Sequence, residues 1–240
     1  MNPVLLMERR DDVLWLTLHR PEVLNAVNLE MRDALWEAFC LAGEDPTLRC
    51  LVLRGAGERA FSAGADIGEF GTAPGFVRAR EARRERDLWW RLITLPVPTV
   101  AAVQGWALGA GCEMASMCDV RIASDDARLG LPEVTLGYIP SAGGTQLVSR
   151  LLPPAEALAM VLSGEPLSAK RALELGLVDR VVPGAELEAE TERMAARLAA
   201  LPRPFVRALR PTLWDGAEGA CEAALRREAA RACTLLAGGH

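Results

Sequence analysis

The sequence predicts an α/β protein in which parallel strands alternate with helices, and three observations predict it. Two short, continuous apolar runs, residues 50–53 and 99–103, have the composition of strands covered on both faces. Segments with apolar residues at helical spacing, 29–41 and 74–95, precede them in turn. Each run leads into a glycine-rich loop, and the loops can be laid over one another. Residues 51–53 lead to Gly64-Ala65-Asp66 as 101–103 lead to Gly111-Cys112-Glu113, which predicts a repeated strand-and-helix unit.

In chain order, residues 13–18 alternate weakly and read as a strand after a charged turn at Arg9 to Asp12; Arg20-Pro21 stops it. Asn28 has the side chain of an N-cap for a helix over 29–41, whose Met31, Leu35, Trp36 and Phe39 form a core face, and Gly43 and Pro46 end that helix. Strand 50–53 opens into a loop with Gly55, Gly57 and Gly64. The helix over 74–95 carries Trp89, Trp90 and Leu92 as packing residues and stops at Pro96 and Pro98. Gly71 and Gly75 mark its entry, where a pocket rim is expected, and pocket depth is expected to depend on Leu136, Tyr138 and residues 70–90. After strand 99–103, the small residues of 105–111 read as a loop and Glu113 sits just inside a helix. A further short strand and the Gly130-Leu131-Pro132 turn lead to Glu133. Residues 134–136 read as a half-buried strand, and Pro140 and Gly143-Gly144 break the chain before a helix beginning near Thr145. The tail shows helical patterns over 187–201 and 218–236, interrupted at Pro202, Pro204 and Pro211.

With 240 residues, half of them hydrophobic, the chain can bury a core without disulfide or metal staples. The net charge is −5, and 26 arginines spread along the chain stand against a single lysine, Lys170. No basic face for nucleic acid is expected: the local cluster Arg78, Arg80, Arg83, Arg84 and Arg86 is interleaved with Glu81, Glu85 and Asp87 as on a solvated helix face. The six cysteines form no CxxC pair and the histidines are His19 and His240, so no metal site is expected and the thiols read as reduced core residues. The apolar run at the N-terminus is too short for a signal peptide or membrane span, from which no membrane association and a cytoplasmic location are expected.

The chemistry is concentrated between Val103 and Glu133. Small residues at the start of a helix let unpaired backbone N–H groups approach a ligand, and such groups favour negative charge. Two loops of this kind can aim one amide each at a single oxygen. Glu113 and Glu133, twenty positions apart, bring carboxylates to the same neighbourhood, a set suited to proton transfer beside a developing oxyanion. Neither loop has the Gly-Lys-Ser/Thr ending of a phosphate-binding loop, and Gly105, Gly109 and Gly111 do not have the dinucleotide spacing.

The segments FSAGADI (61–67), AAVQGWALGAGCEMASMCD (101–119) and GLPEVTLGYIPSAGGTQLV (130–148) closely resemble the enoyl-CoA hydratase (crotonase) family, as do RPEVLNAVN (20–28) and LSGEPLSAKRALELGLVDRVVP (162–183). The resemblance implies a crotonase-like spiral of repeated β-β-α units over 1–183. It also implies a helical, trimer-building region over 184–240, shortened relative to the family, so that a homotrimer or a dimer of trimers is expected. It implies backbone donors at Ala65 and Ala110, catalytic acids at Glu113 and Glu133, and a substrate-binding surface from Arg20, Val23, Asn25, Ala63, Gly64, Asp66, Ile67, Gly109, Pro132 and Tyr138. The substrate is then an acyl-CoA thioester, in which coenzyme A is part of the substrate and no separate cofactor is expected. Hydration of a 2-enoyl-CoA is the reading that both glutamates favour, with a Δ3,Δ2-enoyl-CoA isomerase as the nearest alternative and a non-catalytic acyl-CoA-binding module as the alternative of another class.

Overall fold

The computed structural model describes residues 3–69, 86–218 and 221–237. Strands β1 (Leu5–Arg10) and β2 (Val13–Leu18) pair antiparallel around a turn in which Asp11 takes φ 51°. The chain continues through α1 (Leu29–Glu44), β3 (Cys50–Gly55), β4 (Ala60–Ser62), α2 (Leu88–Ile93), β5 (Thr99–Val103), β6 (Trp106–Leu108), α3 (Ala110–Met117), β7 (Val120–Ser124) and β8 (Arg128–Gly130). There follow α4 (Gly144–Leu151), α5 (Pro154–Ser163), β9 (Leu167–Ser168), α6 (Ala169–Leu175), β10 (Arg180–Val182), α7 (Leu187–Ala199), α8 (Arg203–Glu218) and α9 (Cys221–Ala237).

Two sheets result. The larger has the order β1-β2-β3-β5-β7-β10 and is parallel from β2 onward; the smaller is β4-β6-β8-β9, with β4, β6 and β8 parallel. Alternation along the strands splits the core. Leu16, Leu18, Leu51, Leu53, Ala101 and Val103 point to one face, against Met31, Leu35 and Phe39 of α1. Trp15, Val52, Val100, Ala102 and Ile122 point to the other, under Leu187 and Ala195 of α7. A sheet covered on both faces needs continuous apolar strands, which is what residues 50–53 and 99–103 supply. Each fully buried Leu or Phe contributes roughly 2 kcal/mol to holding the two layers together.

Asn28 caps α1 as expected, its side chain accepting from the Met31 amide. The structure differs from the sequence reading in several places. Strand β1 was not anticipated because only Leu5 of it is buried, so an edge strand leaves no periodic signal. The stretch 105–111 contains β6, and the loop before Gly64 contains β4; three-residue strands are too short for alternation to register. Between Glu113 and Glu133 stand two strands, β7 and β8, where one was expected. Residues 134–136 are not a strand. They lie in a 3-10 turn, Pro132–Leu136, started by proline, held by Tyr138 N donating to Glu133 O and ended by Gly137 at φ 79°. The helix expected over 74–95 does not run unbroken: Asp87 caps a new helix, α2, by accepting from Trp90 N, and residues 70–85, including the rim at Gly71 and Gly75 and most of the arginine cluster, lie outside the described residues.

Helix α8 runs through Pro211 despite its missing N–H. Tertiary anchors outweigh that loss: Arg210 donates to Asp119 at 2.8 Å and to the Leu95 carbonyl, and Trp214 packs against the core. Of the cysteines, Cys50, Cys112 and Cys118 are buried, and burial pushes their thiols up to about 12. Cys233 departs from the expectation by being exposed. No helix among the described residues is long and apolar enough to cross a membrane.

Candidate active site

Three parallel strands of the small sheet end side by side, and each is followed by a segment singled out above. Strand β4 leads to Ala63-Gly64-Ala65-Asp66, β6 to Gly109-Ala110, and β8 to Leu131-Pro132-Glu133. The carboxyl ends of adjacent parallel strands are where an α/β sheet leaves backbone groups free for a ligand.

The first two loops touch. A Cβ on Gly64, at φ 97°, would stand 2.7 Å from Leu108 O and 3.3 Å from Ala110 N, and one on Gly111 would stand 2.4 Å from Ser62 O. Only glycine tolerates both the left-handed backbone and the approach at Gly64. Buried Ser62 fixes the first loop by donating to Asn25 O and accepting from Gly64 N. The Ala65 and Ala110 amides donate to no described residue.

Glu113 is 2% exposed, on the first turns of α3. Its Oε1 accepts from Ala142 N at 2.9 Å and Gly144 N at 2.7 Å, amides at the start of α4. Sequence reasoning did not name these donors, although the Gly143-Gly144 break before a helix is the signal that carries them. Glu133 is 3% exposed, so it is no surface acid; its Oε2 is buried and has no hydrogen-bond partner among the described residues. Burial pushes its carboxyl above the ordinary glutamate range. A Cβ on Gly109 would stand 2.9 Å from Glu133 Oε1, and one on Gly144 2.8 Å from Glu113 Oε1, so glycines make room for both acids. Tyr138 lies where burial and the charges of Glu133 and then Glu113 push its phenol up. The two carboxylates therefore share one neighbourhood.

The other predicted residues divide. Arg20 donates to Asp66 Oδ2 and Ala26 O, each at 2.8 Å, and its guanidinium holds the Asp66 carboxyl below the usual range. Val23, Ala65 and Ile67 are exposed beside it, while Ala63, Asp66 and Pro132 are half-buried. Asn25 is fully buried, with Oδ1 accepting from Arg20 N and Nδ2 donating to Ala56 O and Ala60 O; its side chain is engaged within the chain and ties the turn to β4. Trp106 on β6 is 42% exposed. Among the described residues no group of three or more His, Cys, Asp or Glu is placed to hold a metal.

Two glycine-bearing loops with unengaged amides and two buried acids thus gather beside the ends of parallel strands. Residues 8–233 match the enoyl-CoA hydratase/isomerase family, to which the chain belongs. It is 38% identical over 97% of its length to the 2,3-dehydroadipyl-CoA hydratase of Escherichia coli K12, covering 90% of that protein. It is 34% identical over 94% of its length to the crotonyl-CoA hydratase of Syntrophomonas wolfei, covering 86% of it. A solved enoyl-CoA hydratase from Mycobacterium smegmatis aligns with a TM-score of 0.91 at 34% identity, over 98% of this chain and 91% of that one. The fold is the crotonase fold.

Proposed function

We propose that the protein is an enoyl-CoA hydratase, a hydro-lyase that adds water across the 2,3 double bond of a 2-enoyl-CoA thioester to give the 3-hydroxyacyl-CoA. The observation that carries this reading is the unequal pair of acids: Glu113 held by two amide donors, which stabilise negative charge, and Glu133 buried with an unpaired oxygen, which favours the protonated form. Paired acids in opposite protonation states suit syn or sequential delivery of a hydroxyl and a proton.

In this mechanism the thioester oxygen lies against the Ala65 and Ala110 amides, which stabilise the enolate-like charge as it forms; loss of one such donor costs about a hundredfold or more in rate. Glu113 takes a proton from water as its oxygen bonds to C3, and Glu133 gives its proton to C2. A proton passing from Glu113 to Glu133 through solvent resets the pair, so one water is consumed and nothing else. The exposed edge from Arg20 to Ile67 receives the coenzyme A part of the thioester. An isomerase needs only one shuttling base, and the preparation of two buried acids speaks for hydration.

Exposed Leu201, Phe205, Leu209 and Leu213, four residues apart on and just before α8, support a homotrimer or a dimer of trimers. Light scattering at the mass of a single subunit would remove that part of the proposal. For the reaction, the protein is incubated with crotonyl-CoA and with a 3-enoyl-CoA while conjugated-thioester absorbance is followed. Loss of absorbance with the first supports hydration; gain with the second alone identifies the isomerase.

A further inference from the structure

The chemistry above leaves unused a cavity of about 250 Å³ next to the turn that holds Glu113. Its wall includes Ala142, whose amide binds Glu113, and Met117, one helical turn beyond Glu113 on α3. Three tryptophans line it: Trp89 and Trp90 from α2, and Trp214 from α8. Trp89 and Trp90 were expected to be packing residues, yet Trp90 is half exposed and both border the cavity, as does Trp214.

We infer that this cavity receives the far end of the acyl group and selects an apolar body of aryl size over the methyl end of a crotonyl group, an inference that rests on the hydratase reading. Volume supports it, since an apolar cavity of about 150 Å³ is enough to hold a benzene ring. Indole walls favour rings in stacked or edge-to-face contact. Charge argues against a terminal carboxylate. Arg150 borders the cavity, but so does Asp87, and both are engaged: Arg150 donates to Gln146 O at 2.7 Å and Asp87 accepts from Trp90 N at 3.0 Å. An acid entering there meets one charge of each sign and gains no net attraction.

The test compares saturated ligands, whose binding requires no hydration. Calorimetry with 3-phenylpropanoyl-CoA, butanoyl-CoA and hexanedioyl-CoA is run on the wild type and on Ile93→Trp, which adds a ring to the cavity wall. The expected result is that the phenyl-ended ligand binds about tenfold or more tightly than the butanoyl ligand, and that Ile93→Trp collapses this ratio. Trp214→Ala, which removes one indole wall, lowers the same ratio and serves if Ile93→Trp does not fold. Equal affinities of the phenyl and butanoyl ligands, a ratio untouched by either folded variant, or tightest binding of the hexanedioyl ligand would overturn the inference. Aryl selectivity without turnover of any enoyl-CoA would overturn only the hydratase reading, and crotonyl-CoA turnover without aryl selectivity would overturn only the cavity assignment.

Discussion

Gly109→Ala tests whether the position of the Glu133 carboxylate matters to catalysis, because it perturbs that carboxylate without touching its chemistry. Two effects must be separated. Gly109 sits at φ 50°, ψ −123°, a region that L side chains rarely enter, and such strain costs about 1–3 kcal/mol of stability. The added Cβ would also stand 2.9 Å from Glu133 Oε1. The carboxylate has to retreat by about 0.5–1 Å to reach an ordinary contact. A displacement of about 1 Å at a catalytic group can cost about a hundredfold in rate. The expected outcome is a kcat lower by about ten- to a hundredfold, with a lower Tm.

Gly57→Ala separates the effects, since Gly57 has φ 74° and its added Cβ meets only Pro21 Cβ at 3.5 Å, away from both acids. It should lower Tm in the same way and leave kcat for crotonyl-CoA unchanged. Both are measured by thermal denaturation and by loss of conjugated-thioester absorbance. If Gly109→Ala is destabilised like Gly57→Ala yet turns over at the wild-type rate, Glu133 is not the proton donor placed here.

Three further outcomes follow from the same geometry. Glu133→Gln should abolish most turnover and change the pH dependence of stability. The folded carboxyl binds its proton more tightly than the unfolded one, so the wild type is favoured below the unfolded glutamate value, about 4.3, and loses that contribution as pH rises through the folded value; the variant does not. The Tm of Glu133→Gln relative to wild type should therefore climb from acid to neutral pH, and a flat difference would contradict a buried carboxyl with a raised value. Asn25→Ala leaves the Arg20 amide and the Ala56 carbonyl without their partner and the Ala60 carbonyl with Gln104 alone, at a cost of about 1–3 kcal/mol, read as a lower denaturant midpoint; an unchanged midpoint would mean that water replaces the amide. Arg210→Ala removes charge-assisted bonds to Asp119 that contribute about 1.5–3 kcal/mol. It should loosen α8 and with it Trp214, lowering the Tm and the phenyl-to-butanoyl affinity ratio together.

What the sequence disclosed divides along physical lines. Long elements with repeated burial were legible: α1 through its 3.6-residue apolar face and Asn28 cap, β3 and β5 through continuous apolar runs. Elements whose signal is a partner were not. Strand β1 shows only Leu5 to the core, and α8 overrides Pro211 through contacts with Asp119 and Leu95 that lie far away in sequence. At the site, Glu113 and the glycines announced themselves by their loops. The burial of Glu133 did not, because its neighbours 134–136 are exposed and the text around it reads as surface. Asn25 was grouped with the substrate-facing turn, and nothing in the sequence distinguishes a side chain that meets a ligand from one that ties down the loop meeting it.

The site's geometry is in the end a matter of register in the small sheet. Ser62 pairs with Ala107, and Ala107 with Leu129, so the segments after β4, β6 and β8 emerge level with one another. The Gly109 amide donating to Gly130 O extends the pairing one residue past the strands, and Gly109 lies against the Glu133 carboxyl. A slip of one residue in β6 would reverse its side chains, burying Trp106 and expelling Ala107, and would draw Ala110 about 3.3 Å along the strand axis. The close glycine contacts, Gly64 on Leu108 O and Gly111 on Ser62 O, do not survive such a shift. Small residues in these loops thus serve two ends at once: they allow the close approach of the loops that carry the Ala65 and Ala110 amides, and they disfavour a one-residue slip of β6.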